Sequence, residues 1–222
     1  MNTMQHRNVS LSEQIFEQLE HDILSGKYAK GDVLSELRLS QELGVSRTPI
    51  REALIALERE KLLENTSRGM EVVGISRKDM MDMYEIRLLL EGRAAAKAAE
   101  NAPESVLAEM SDILDLQSFY IGKQENSGKD LSDNIKDLDS AFHELIYSNC
   151  GSSAYRDTLV PMHKKMTKFR KASVSRKSRA AESLSEHRAI LEALKARDAA
   201  GAEQLMVQHV RNARDSIADM EE

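Results

Sequence analysis

Apolar residues recur at helical intervals from Ser10 onward, with Ile15, Leu19, Ile23 and Leu24 on one face. Ser10 and Glu13 have the spacing of a capping box, and Gly26 closes this first helix. A second, shorter run places Leu39 and Leu43 on the buried side of a helix that Ser35 caps and Gly44 stops. A third starts at Ser46 and carries Ile50, Leu54 and Leu57 to about Glu60. Pro49 falls in its first turn, where the missing N–H has no intrahelical partner to lose. Two short helices joined by the tight Gly44-Val45 turn, after a longer first helix, form a helix-turn-helix pattern.

The period then changes. Leu62–Asn65 and Met70–Val73 predict two brief strands, and Thr66–Gly69 is the turn between them, which together make a small hairpin or wing. Gly74–Ser76 is a link. From Asp79 onward the sequence predicts six helices, at about 79–100, 103–123, 130–149, 151–173, 178–197 and 201–220. Pro103 opens one of them, Gly122 and Gly128 flank a loop, and Gly151 and Gly201 divide neighbouring helices. The fold expected is mostly α. A winged helix-turn-helix DNA-binding domain spans 1–75, and an antiparallel all-helical bundle for ligand binding and dimerisation spans 76–222.

Composition narrows the class. Of 222 residues, 41% are hydrophobic and 31% charged, which supports packed cores and excludes a disordered chain. Cys150 is the single cysteine, so no intramolecular disulfide framework exists; its expected role is a buried small side chain. No run of 18 apolar residues suggests a membrane span, and the N-terminus has no signal-peptide pattern, so a cytoplasmic protein is expected. The formal net charge is -6, and residues 1–75 hold 9 Lys/Arg against 12 Asp/Glu. Nucleic-acid binding therefore requires positive charge concentrated on one face. One local exception is the basic run Lys164, Lys165, Lys168, Arg170, Lys171, Arg176, Lys177 and Arg179, either a solvated surface or a steering patch.

Two constellations carry chemistry. Ser46, Arg47, Thr48 and Arg51 occupy the opening turns of the third helix, where a recognition helix enters the major groove. Arginine donates twice to guanine O6/N7, while hydroxyls and helix N-terminal amides suit phosphate. Arg68 beside Gly69 would reach backbone or minor groove from the wing. In the bundle, Asp139 and His143 lie four apart on one helix face, and His187 and His209 sit in two further helices. Three imidazoles and a carboxylate suit a divalent ion such as zinc, nickel or manganese. The same set suits metal-assisted hydrolysis. Four protein ligands, no additional general base and no H-E-x-x-H motif favour sensing over catalysis.

The string Gly44-Val45-Ser46-Arg47-Thr48-Pro49-Ile50-Arg51-Glu52-Ala53-Leu54, with Leu57-Glu58 and Arg68-Gly69, resembles the winged helix-turn-helix of GntR-family bacterial transcription regulators. Gly31-x-x-Leu34-x-Glu36-x-x-Leu39 fits the same family. The resemblance implies DNA contacts at Arg47, Thr48, Arg51 and Gly69. Some members carry an arginine directly after the glutamate matching Glu36; here Leu37 stands there and Arg38, one place later, is the candidate.

Met83-Tyr84-Glu85-Ile86-Arg87, Leu90-Glu91, Ala94-Ala95, Asp139-x-x-x-His143, Glu186-His187-x-x-Ile190 and His209 resemble the FadR-like, or FCD, branch of that family. That resemblance implies a metal held by Asp139, His143, His187 and His209 within the bundle. It also implies a small organic or sugar acid facing the metal, with Arg87 supplying positive charge; the residues by themselves also allow Arg87 to form a salt bridge instead, with Glu91 at i+4. Tyr84 and Asn149 are further candidates for contact with that effector. The function expected is a homodimeric regulator, a repressor, that reads palindromic double-stranded operator DNA and responds to the acid. Zinc is the first choice of metal. A metal-responsive regulator is the alternative.

Overall fold

The computed structural model describes residues 10–73, 75–166 and 177–218. The chain divides into two compact units, Met1–Ser76 and Arg77–Glu222. In the first unit the order is α1 (Leu11–Leu24), β1 (Val33–Leu34), α2 (Glu36–Leu43), α3 (Arg47–Arg59), β2 (Leu63–Thr66) and β3 (Gly69–Val72). Ser10 accepts a hydrogen bond from Glu13 N, and Ser35 accepts one from Arg38 N, so both caps form through the side chain. Ser46 occupies the N-cap position of α3 but makes no side-chain cap bond. Its hydroxyl is therefore not committed to the helix end.

Ile15, Leu19, Leu39, Ile50, Leu54, Leu57, Leu63 and Val72 form one buried core under α1, α2, α3 and the hairpin. Leu43, expected inside, is 41% exposed. Gly44 adopts φ +68 and turns the chain at the end of α2, so Val45, not Leu43, packs against the core. The sheet also has a strand that the sequence pattern does not announce. Val33 pairs with Glu71 and Leu34 with Met70, giving the antiparallel order β1-β3-β2.

The second unit contains α4 (Arg77–Asn101), α5 (Glu104–Ser127), α6 (Ser132–Ser148), α7 (Ser153–Lys165), α8 (Lys177–Lys195) and α9 (Ala199–Ala218). Helix α4 packs on α6, α7, α8 and α9, so it runs through the centre of the bundle. Its small residues Ala94, Ala95, Ala98 and Ala99 are fully buried. Gly92 permits the close approach of α9, because an added Cβ would lie 2.6 Å from Val207 Cγ2.

Two breaks fall elsewhere than expected. Gly122 does not end its helix; α5 continues to Ser127 and stops at Gly128, which has φ +66. Gly201 lies inside the first turn of α9, and the division from α8 is made by Arg197, at φ +57, and by Asp198, whose Oδ1 accepts from Gly201 N at 2.9 Å. That cap explains the glycine, since a Cβ there would meet Asp198 Oδ2 at 2.2 Å. The stretch 167–176, which holds much of the basic run and the predicted end of the 151–173 helix, lies outside the described residues. Cys150 is fully buried and donates to Tyr147 O.

Candidate functional site

In the first unit, α3 buries Ile50, Ala53, Leu54 and Leu57 and leaves Ser46, Arg47, Thr48 and Arg51 in solvent. One turn separates Arg47 from Arg51, so both guanidiniums share a face, and Glu36 of α2 accepts hydrogen bonds from each. These bonds, Arg51's foremost, hold the Glu36 carboxyl at about 2. Arg38 instead pairs with Glu42 at 2.7 Å on the exposed side of α2. Arg68 sits in the β2–β3 turn and pairs with Glu71. Gly69 follows it at φ +117, where an L side chain would be strained and a Cβ would press on Val33.

In the bundle, α6, α8 and α9 bring His143, His187 and His209 together. Their Nε2 atoms form a triangle with sides of 3.2, 3.2 and 3.3 Å. All three rings are buried, and Phe142 stacks on His187 with centroids 4.5 Å apart. Asp139, one turn before His143, places Oδ1 3.5 Å from His187 Nε2.

For His209 and His143 the proton position follows from the nitrogen that faces away from the triangle. Burial lowers the His209 pKa to about 4 against the opposing pull of Glu186, so the ring is neutral near pH 7. Burial also disfavours ionised Glu186, but hydrogen bonds from His209 and Arg179 outweigh it and hold that carboxyl at about 2. An ionised carboxylate only accepts, so His209 Nδ1, 2.6 Å from Glu186 Oε2, carries the proton. Its Nε2 is left as a bare lone pair. His143 is also kept neutral by burial, and its Nδ1 lies 3.4 Å from Glu91 Oε2 and 3.2 Å from the Tyr147 hydroxyl. A proton on that Nδ1 again turns an Nε2 lone pair toward the centre.

Convergent lone pairs repel one another unless a cation lies between them. A tetrahedral zinc with bonds of about 2.0 Å sets its ligands about 3.3 Å apart. The observed triangle matches that edge length, so the residues present fit a metal.

Behind the triangle lies a second buried layer. Arg87 and Glu91, one turn apart on α4, form an ion pair with both side chains almost fully buried. Burial works against both charges. The pairing prevails, holding the Glu91 carboxyl well below its usual range and raising Arg87 above its own. The Arg87 guanidinium lies 4.9 Å over the Tyr84 ring. Tyr147 places its hydroxyl 3.1 Å from His163 Nδ1, while the buried His163 Nε2 has no hydrogen-bond partner among the described residues. Glu91, His143 and His163 have ligand-type atoms within 4.8 Å of one another. Arg87 already engages that carboxylate and Tyr147 stands between the imidazoles, so this set is a hydrogen-bond network.

Of the residues singled out from sequence, the three histidines meet, Asp139 borders them, and Tyr84 stacks with Arg87. Arg87 connects through Glu91 to the far side of His143. Asn149 ends α6 and turns its amide onto Leu145 O at 2.8 Å. The sequence pattern does not single out Tyr147, His163 or Glu186 for this site. The i, i+4 spacing of His143 and Tyr147, and the adjacency of Glu186 to His187, were the available signals; His163 had none.

Comparison with known proteins gives a consistent result. Residues 11–72 match the bacterial regulatory proteins of the gntR family, and residues 82–212 match the FCD domain. The chain is 30% identical over 197 residues to the uncharacterised HTH-type transcriptional regulator YdhC of Bacillus subtilis (strain 168), covering 88% of this chain and 86% of that one. It is 31% identical over 137 residues to the gluconate operon transcriptional repressor of the same organism, covering 62% of this chain and 54% of the repressor. The solved structure of E. coli McbR/YncC superposes with a TM-score of 0.77 at 24% identity, covering 95% of this chain and 98% of that one, which establishes likeness of fold. Among the described residues no helix is long and apolar enough to cross a membrane.

Proposed function

Because the chain belongs to the gntR family of bacterial regulatory proteins and carries an FCD domain, it is a DNA-binding transcription regulator, not an enzyme; we propose that it is a repressor governed by a small carboxylate or sugar acid bound beside a divalent metal. The observation that carries this reading is the triangle of His143, His187 and His209 Nε2 atoms, with Asp139 alongside. The likeness to a gluconate operon repressor supports a sugar acid as one candidate effector.

His143, His187, His209 and Asp139 would hold the ion, with zinc preferred over nickel or manganese. When bound, it supplies concentrated positive charge for an oxygen anion in a buried setting. Arg87 supplies the second cationic group, and Tyr84 orients it through its ring. Burying an effector carboxylate without such partners would be prohibitive. In this structure Glu91 is the carboxylate that Arg87 holds, so an incoming acid must share or displace that contact. Arg87 and Glu91 lie on α4, which begins at Arg77, directly after the first unit ends at Ser76. A shift at Arg87 therefore acts on the first helix of the second unit, the element that follows the DNA-reading unit in the chain.

At the DNA, Arg47, Thr48 and Arg51 would read base edges, with Ser46 at the helix start, Arg38 and Arg68 on the backbone, and Gly69 shaping the wing. One such helix reads one half-site, and a homodimer reads a palindrome.

Elemental analysis of protein purified without added chelator, beside His187→Ala, tests the metal assignment. About one zinc, nickel or manganese per chain is expected in the wild type and far less in the variant. Wild-type protein without metal, and with no uptake from buffered zinc, would refute it.

A further inference from the structure

Glu36 is an acid placed among groups that must approach a polyanion. Its Oε1 accepts from Arg51 Nε at 2.8 Å, and its Oε2 accepts from Arg51 Nη2 at 2.9 Å and from Arg47 Nη2 at 3.0 Å. Two parallel bonds to Arg51 fix the plane of that guanidinium. Glu36 takes up two of the five N–H groups of Arg51, along the Nε–Nη2 edge, and the other three lie at the Nη1–Nη2 end of a side chain that is largely exposed. That end offers the paired donors that match guanine O6 and N7.

We propose that Glu36 is a specificity-determining residue that positions Arg47 and Arg51 for guanine and withholds them from indiscriminate phosphate contact. The inference rests on the reading of these two arginines as DNA contacts and adds the residue that sets their selectivity. Both arginine side chains are 57% exposed, so unheld they would sample many rotamers and lose that freedom on binding. Holding them beforehand reduces the loss. The charge effect runs the other way: Glu36 leaves the trio with one net positive charge instead of two, which lowers attraction to any phosphate. The carboxyl is ionised throughout the working range, since it is held at about 2. Weaker general affinity combined with fixed donors raises the ratio of specific to non-specific binding.

The test is a binding selection on random-sequence duplex DNA at one salt concentration, with wild type, Glu36→Gln, Glu36→Asp and Arg51→Ala. A duplex absent from the enriched pool is then titrated across salt concentrations. Glu36→Gln is expected to keep the outline of the wild-type motif but reduce guanine preference in each half-site roughly five-fold or more. Its affinity for the non-enriched duplex should rise, with a salt dependence steeper by about one ion. Glu36→Asp keeps the charge on a shorter arm, so it should lose guanine preference while its non-specific affinity stays near wild type. This second variant carries the test if Glu36→Gln fails to fold.

Guanine preference unchanged in both Glu36 variants would overturn the proposal. So would equal gains in specific and non-specific affinity, which would make Glu36 a simple repulsive charge. An unchanged motif from Arg51→Ala, or no motif from the wild type, would overturn the underlying assignment of the arginines and leave Glu36 nothing to position.

Discussion

His209 Nδ1 lies 2.6 Å from Glu186 Oε2, and this bond decides which nitrogen of His209 faces His143 and His187. Glu186 is itself held by both Nη atoms of Arg179 at 2.8 Å and by Asn212 at 2.7 Å. A carboxylate fixed from three directions fixes the ring in turn. Such outer partners tune metal affinity because they set both the tautomer and the basicity of the ligand.

Glu186→Gln removes the charge while keeping the shape. Zinc affinity in a competition with a chromophoric chelator should fall by about 10–100-fold. Unchanged affinity would show that the ring holds its orientation by packing alone.

His143→Ala cuts into both buried layers, because His143 faces the other histidines through Nε2 and Glu91 and Tyr147 through Nδ1. Bound metal should drop in elemental analysis, and the gain in melting temperature on adding zinc should disappear. Ligand-linked stabilisation at 100 times the dissociation constant is about 2.7 kcal/mol. DNA affinity in the absence of effector should change little, since His143 lies in the second unit.

Without metal, the bundle should lose stability as pH falls. Burial depresses the pKa of His143, His163 and His209, the last to about 4 from an ordinary 6.5. Between those values the unfolded chain binds protons that the folded chain refuses, so stability rises with pH across that window. The slope from His209 alone approaches about 1.4 kcal/mol per pH unit. Urea unfolding in chelator at pH 5 and pH 7 measures it. Equal midpoints would show that the imidazoles become protonated in the folded state.

Gly92→Ala should destabilise the second unit by about 1–3 kcal/mol, as an extra methyl forced into a packed core does. The new Cβ would meet Val207 Cγ2 at 2.6 Å and Glu203 O at 3.2 Å, and the backbone oxygen has little room to retreat. Denaturant unfolding of the variant checks this; wild-type stability would mean that α9 moves away at no cost.

Arg51→Ala should cost about 1–3 kcal/mol in binding to the selected operator and leave the metal site intact. An unaltered footprinting titration would remove Arg51 from the recognition surface.

The features legible in the sequence were those with local causes. The capping pair at Ser10, the turn at Gly44 and the apolar stripe Ile50, Leu54 and Leu57 depend on neighbours within a few residues. Strand β1 escaped notice because it is only two residues long and owes its existence to Met70 and Glu71, far along the chain. Gly201 misled because glycine commonly marks a helix end; here it makes room for the Asp198 cap. At the candidate metal site, residue type and the i, i+4 step pointed to Asp139 and His143. Their meeting with His187 and His209 depends on how three helices pack. Tyr147 and His163, sixteen residues apart and joined through one hydroxyl, carry no local pattern at all.

The most direct test is the affinity of metal-loaded protein for its selected operator, titrated with acetate, lactate, gluconate, citrate and galacturonate in turn. At least one acid is expected to shift the affinity by about 5–150-fold, and Arg87→Ala and His143→Ala are each expected to abolish the shift. If no acid changes operator affinity while buffered free zinc does, the ion is itself the signal, and the role assigned to Arg87 is wrong.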